Sequence, residues 1–310
     1  MSSTIEFLGT TTFVLRTKGL TIFHDAWLER PTNVPSHRSP EDVTEADVIL
    51  INHAHFDHVP GADVIAKKTG AKVIANGEAI RVLRDQGVPE EQLCPVAGGE
   101  YIDVGQGVVI RPLPGLHCLM PFAHGEVPDV LSTDYRYEGK EGQSPMDITE
   151  KMTKGLGGIR NIPDEKLPSD DFRAFKAYMT KNWGRFSLWD GGCMMYLVTI
   201  PGEGTILFNG HTGAHMGILS ELQPKPDLAV LSVAGQPCYN GGGFTGTATE
   251  FVLESLQRLG HPKQVTWALH DRGPIPPFEI DLKPLESAVR DTTSCQILEL
   301  PHAKPQKIFA

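Results

Sequence analysis

Hydrophobic residues near the start of the chain fall in short runs parted by turn residues. Stretches 5–8, 12–16 and 20–24, separated by Gly9 and by Lys18-Gly19, predict three short strands of a meander. Residues 29–45 are rich in Pro, Ser and charge and read as a surface loop. The unbroken apolar run Val48-Ile49-Leu50-Ile51 then has the pattern of a strand buried on both faces. A helix is predicted over 60–68, stopped at Gly70, then a strand over 72–75 and a helix over 78–86. This alternation of strand and helix predicts an α/β layer arrangement. Strands are expected at 100–104 and 107–113. From 119 to 190 the regular pattern breaks into Gly and Pro turns with two helical patches, 148–154 and 170–182. The second patch sets Phe172, Phe175, Tyr178 and Met179 at helical spacing. A segment this long is expected to be an inserted lid or cap within one domain spanning 1–310. Regularity returns with a hairpin (193–200 and 205–209), a strand at 227–233, a helix at 247–259 and a strand at 264–269.

Composition narrows the function classes. The chain has 310 residues and a net charge of −10, and no cluster of Lys and Arg suited to phosphates, which argues against nucleic acid and for a small-molecule partner. Five cysteines with no C-x-x-C pair suit a reducing compartment, so the cytoplasm is the expected location. No basic, apolar leader and no membrane span are read in the sequence. Oligomeric state is not fixed by these features, and a homo-oligomer stays open.

Chemistry concentrates after the apolar run. His53, His55, Asp57 and His58 fall within six residues, and extended backbone points the first two imidazoles to one side while Asp57 and His58 lie on the turn. His117, His211 and His270 each follow a predicted strand, so convergence at one sheet edge is expected. Asp25, at another strand end, is read as an acceptor fixing a ligand histidine, with an exposed turn aspartate as the alternative. Structural roles are expected for His24, His124 and His215, solvation for His37, His261 and His302, and burial as a small thiol for Cys118. Tyr178, Trp183, Arg185, Phe186 and Trp189 are read as an aromatic pocket wall with a cationic group. Gly241-Gly242-Gly243 reads as a flexible stretch.

The succession H-A-H-F-D-H, a lone histidine about sixty residues on, a G-x-T-like turn after a hairpin and a late histidine after a strand resembles the metallo-β-lactamase superfamily. The stretches I-E-F-L-G and F-H-D-A-W-L are similar to its branch containing ascorbate-phosphate lactonase. The resemblance implies a four-layer αββα sandwich with two metals, one on His53, His55 and His117 and the other on Asp57, His58 and His270. Zinc is the first choice, with manganese and iron as alternatives. It further implies a hydrolase in which the metal activates water and Asp57 orients it or shuttles its proton. The chain departs from the pattern at Asn209-Gly210-His211-Thr212, where relatives carry a bridging aspartate. An imidazole has one lone pair and cannot bridge. His211 therefore binds one metal, or the site holds a single metal, or His211 is an acid or base outside the shell. A metal content between one and two per chain is expected. The leading functional expectation is hydrolysis of a small lactone or lactam-like ring, ahead of hydrolysis of a small phosphodiester or phospholipid and of a non-catalytic metal-binding protein.

Overall fold

A computed structural model describes residues 2–119, 129–139, 150, 152–273 and 279–309. Strands β1 (Thr4–Phe7), β2 (Phe13–Thr17), β3 (Leu20–His24), β4 (Val48–Ile51), β5 (Lys72–Ala75) and β6 (Leu93–Pro95) form one sheet in that order, with Gln306–Lys307 paired on to β1. The second sheet runs β7 (Ile102–Asp103), β8 (Val109–Pro114), β9 (Met194–Ile200), β10 (Gly204–Asn209), β11 (Leu228–Ser232), β12 (Gln264–Ala268) and β13 (Gln296–Ile297). The sheets face each other across one core that includes Phe7, Phe13, Ile22 and Leu50 from the first and Tyr196, Ile206, Phe208 and Val230 from the second. Burying each such side chain contributes about 1.5–3 kcal/mol.

Helices cover the outer faces. Those of the first sheet are α1 (Ala62–Thr69) and α2 (Gly77–Asp85), whose Ile65, Ala66, Ile80 and Leu83 pack on Ile49, Ile51 and Val73. The α3 helix (Asp170–Lys181) belongs to the 152–188 segment. The α4 (Met216–Glu221), α5 (Ala248–Arg258) and α6 (Lys283–Thr292) helices cover the second sheet. The expected αββα sandwich is thus the observed one. Local chemistry marks the ends of the helices: α1 ends at Gly70 in the left-handed conformation, Asn76 caps α2, and Thr247 and Glu250 close a capping box on α5. Among the described residues no helix is long and apolar enough to cross a membrane.

Strand direction is what positions the site. In the first sheet β3, β4 and β5 are mutually parallel, and in the second β10, β11 and β12 are parallel, with β8 pointing the same way through antiparallel β9. Their carboxyl ends therefore open on one edge. The connections that leave that edge carry Asp25, the 53–58 motif, His117 and His211.

The 119–190 segment has two described parts. Arg136–Tyr137 pairs with Gly246–Thr247 beside α5, and Val130–Ser132 pairs with Glu279–Asp281. Residues 152–188 build a cluster of Met152, Ile159, Leu167, Phe172, Phe175, Tyr178, Met179 and Phe186 against Trp27 and Phe56. The helical patch expected at 148–154 lies partly outside the described residues, as does His124, and Met152–Leu156 forms a π-helical turn. Gly242–Gly243 is the return strand of a two-residue hairpin with Cys238–Tyr239, a structured role in place of the expected flexibility.

Candidate metal centre

Backbone contacts from three directions hold the motif loop. Asn52 exchanges hydrogen bonds with Met194, its N–H donating to Asp25 and its side-chain amide to the Met194 carbonyl. Ala54 N–H donates to the Asp190 carbonyl (3.1 Å) and Ser187 N–H to the Ala54 carbonyl (2.7 Å), while Ala26 N–H donates to the His58 carbonyl. From α3 the Tyr178 hydroxyl donates to the Phe56 carbonyl (2.6 Å) and accepts from Trp27 Nε1 (2.8 Å). A loop so fully bonded fixes its side chains before any ligand arrives.

On that loop, and on those after β8 and β10, five buried imidazoles cluster. Ring centres are 4.4 Å apart for His53 and His55, 5.0 Å for His53 and His117, and 3.9 Å for His117 and His211. The ligand atoms of His53, His55 and Asp57 lie within 4.8 Å of one another, as do those of His53, His117 and His211. His55 Nδ1 is 3.2 Å from His117 Nε2. That spacing is close to the edge of a tetrahedron of about 2.0 Å metal–nitrogen bonds, roughly 3.3 Å.

Outer nitrogens determine which inner ones are free. His53 Nδ1–H donates to Asn52 Oδ1 (2.7 Å), whose amide is oriented because its Nδ2 is spent on Met194. His58 Nδ1–H donates to Asp25 Oδ2 (2.7 Å) and His117 Nδ1–H to the Cys118 carbonyl (2.6 Å). The Nε2 atoms of His53 and His58 are left buried with no partner. Orphaned buried acceptors are costly in a folded protein, and here a cation is what would satisfy them. The donor set therefore fits a divalent metal.

Electrostatics agree. Burial first, and then the neighbouring rings, push His53, His55 and His211 well below the usual imidazole range, so these groups are neutral, as ligands must be. Burial also acts on Asp25 and His58, but their mutual attraction overrides it: the Asp25 carboxyl is lowered and the His58 imidazole raised. Asp25 is fully buried and sits at φ 52, a left-handed conformation rare outside glycine. Thr10 and Leu269 share that conformation and join to each other, the Leu269 N–H donating to the Thr10 carbonyl.

Two sequence expectations change. His270, at the end of β12, belongs to neither converging group of ligand atoms; it stacks on Phe7 (5.2 Å) beside Asp271. The positive φ of Leu269 re-aims the chain just before it. The five-residue pocket wall does not form either. Tyr178 and Phe186 are buried in the cluster of the 152–188 segment, Trp183 is exposed with the Arg160 guanidinium 3.7 Å over one face, and Trp189 is solvent-exposed. Arg185 spends its charge on Glu29 (2.6 Å) and Asp63 (2.7 Å), tying the 152–188 segment to the loop after β3 and to α1. Removing it leaves Glu29 and Asp63, each less than 15 % exposed, with only the longer 3.7 Å contacts to Lys181 and Lys67. Arg185→Met is therefore expected to destabilise by about 2–4 kcal/mol, read as a lowered Tm with the metal content per chain unchanged.

Several contributors were not foreseen. Asn52 and Thr11, whose Oγ1 is 3.3 Å from His58 Nδ1, steady the ligand rings, and Ser187 and Asp190 grip the loop. An Asn directly before the first histidine was the one visible signal. His24 is buried behind the site, Nδ1–H donating to the Thr11 carbonyl and its ring stacked on Phe208, as expected of a structural histidine, and His215 is the half-buried residue before α4, with no side-chain capping bond. His302 is not simply solvated: it bonds Asp271 and stacks on exposed His37.

Residues 21–143 match the sequence profile of the β-lactamase superfamily domain. A UPF0173 metal-dependent hydrolase of Pyrobaculum arsenaticum is 36% identical over 115 residues, covering 36% of this chain and 50% of that protein. One from Anaeromyxobacter dehalogenans is 38% identical over 167 residues, covering 54% of this chain and 57% of its own. The chain spans about half the length of the curated relatives it matches. Among solved structures, Igni18, described as a metallo hydrolase from Ignicoccus hospitalis, superposes with a TM-score of 0.59 at 17% identity over 99% of this chain and 100% of its own, a likeness of fold. The matched residues 21–143, the sandwich and the histidine-rich edge together make this chain similar to proteins of the β-lactamase superfamily.

Proposed function

We propose that the protein is a metal-dependent hydrolase opening a small cyclic ester or amide. The observation that carries this reading is the cluster itself: buried lone pairs aimed inward while the outer nitrogens of the same rings are held by Asn52, Asp25 and the Cys118 carbonyl. His53, His55 and His117 are the proposed ligands of one divalent ion, with Asp57 and His58 available to it or to a second. A divalent metal held there supplies Lewis acidity, polarising a carbonyl and lowering the pKa of water toward neutrality. Zinc is preferred, and imidazole donors leave manganese and iron as alternatives.

The chain's own groups do the rest. Asp57 offers the one carboxylate among the converging ligand atoms and is partly open, so its Oδ atoms are placed to take a proton from attacking water. Asp25 keeps the His58 proton on Nδ1. The lid braces Phe56 through Tyr178, fixing the loop on which Asp57 sits.

A second reading is a small phosphodiester. The cleft of about 560 Å³ lined by Arg30, Asn33 and Arg272 among others lends it no cation, because Arg30 donates to the carbonyls of Trp27, Pro35, Leu8 and Gly9 and Arg272 faces Asp171. Protein loaded in turn with zinc, manganese and iron, given lactones, lactams and a chromogenic phosphodiester, separates the readings. Turnover of a ring substrate is expected, and turnover of the phosphodiester alone would overturn the first reading for the second. Chelation is expected to abolish turnover and leave the far-UV circular dichroism intact, because protein hydrogen bonds already hold the loop. Unfolding on chelation would instead favour a structural, non-catalytic metal.

A further inference from the structure

We infer that His211 is not a metal ligand and instead presents an Nε2–H to whatever the metal centre binds. Two independent features of the cluster lead there. The first is the tautomer. His53, His58 and His117 each donate outward from Nδ1, which leaves Nε2 without a proton, unpartnered at His53 and His58 and facing His55 Nδ1 at His117. At His211 the direction is reversed, because the Cys118 backbone N–H donates to its Nδ1 (3.4 Å). A neutral ring that accepts at one nitrogen carries its proton on the other, and His211 Nε2 is buried without a partner. Cys118 thus sets two tautomers oppositely: its carbonyl takes the proton of His117, and its N–H fills the lone pair of His211.

The second feature is ring orientation. His53, His55 and His117 stand steeply to one another, at 79°, 84° and 66°, as three rings around one ion do. His211 is steep to His53, at 68°, but lies nearly flat on His117, 29° apart at 3.9 Å, so it is its pairing with His117 that departs from the pattern. Lone pairs lie in the ring plane, so two stacked imidazoles send theirs past each other and not to a common ion. A ring nitrogen of His211 is nonetheless within 4.8 Å of ligand atoms of His53 and His117, so this ring borders whatever they hold, and its Nε2 is buried with no protein partner of its own. It supplies a neutral hydrogen-bond donor to a substrate oxygen gaining negative charge.

What the N–H donates to rests on the hydrolase reading, whereas the tautomer does not. Long-range proton–nitrogen correlation NMR on the 15N-histidine-labelled whole chain, metal-free and zinc-loaded, reads the tautomer directly, with the His211 ring identified as the one missing in His211→Gln. Protonation at Nε2 in both states is expected, and loss of that proton on zinc loading overturns the inference. Zinc affinity of His211→Ala and His211→Gln is expected to fall less than tenfold from wild type, and a loss of tenfold or more also overturns it. On a substrate that the wild type turns over, His211→Ala is expected to lose about 10²–10³ in kcat, with partial recovery in His211→Gln, whose amide keeps a donor. Equal losses in the two variants overturn the donor role. A wild type inert toward every substrate tried, with the tautomer and zinc results as expected, defeats the hydrolase reading and leaves this assignment standing.

Discussion

His55→Ala is expected to abolish turnover, by about 10³-fold or more in kcat/KM, while leaving the thermal transition of the metal-free protein within a few degrees of wild type. His55 Nδ1 stands 3.2 Å from His117 Nε2, so its loss removes one of three steeply set rings and breaks the tetrahedral edge. A metal with two imidazoles left from that set binds weakly and out of place, and misplacement alone costs orders of magnitude in rate. The fold loses little, because the loop is held by the backbone contacts of Ala54, Phe56 and His58 and not by this side chain. Removing a buried polar ring whose burial already disfavours its charged form also relieves a desolvation penalty. Metal analysis after dialysis, calorimetric melting and turnover test the three parts separately. A variant that keeps full zinc and full activity would remove His55 from the site, and one that fails to fold would make the loop structural.

How much of this was legible depends on the range of the interaction. The β4 run was readable because a parallel strand buried on both faces has no polar alternation to blur it, and the 53–58 histidines because their spacing is local. The helical spacing of Phe172, Phe175 and Tyr178 correctly announced a buried face. It could not say what the face packs on, and so Tyr178 was read as pocket wall when its hydroxyl braces the motif loop 122 residues away. Arg185 failed for the same reason, its charge being consumed by Glu29 and Asp63, distant in sequence. The His211 tautomer is set by a backbone N–H 93 residues upstream, a partner no side-chain pattern encodes. Strands of two residues such as Gln296–Ile297 carry no periodicity at all, whereas Leu285 and Val289, one helical turn apart on α6, were a readable signal that went unused.

Asp25→Asn is expected to lower metal affinity by about 10–100-fold, the usual consequence of losing a carboxylate behind a ligand histidine, and to destabilise the metal-free protein by about 1–3 kcal/mol. The substitution isolates the carboxylate, since asparagine tolerates the left-handed φ of 52 better than any other residue with a side chain of this size. Asp25 accepts two donors, Asn52 N–H at Oδ1 and His58 Nδ1–H at Oδ2, both 2.7 Å. Asparagine has one oxygen. If that oxygen stays with Asn52, an amide N–H confronts His58 Nδ1, which must give up its proton; the proton then moves to Nε2 and blocks the lone pair that would bind metal. If the amide flips, the Asn52 N–H is left unpaired at the base of the motif loop. Either arrangement strikes the centre through its support and not through a ligand, so affinity falls while His53, His55 and His117 remain in place. Zinc titration at neutral pH with calorimetric melting of the metal-free protein measures both effects, and affinity within twofold of wild type would show that Asp25 does not set the His58 tautomer.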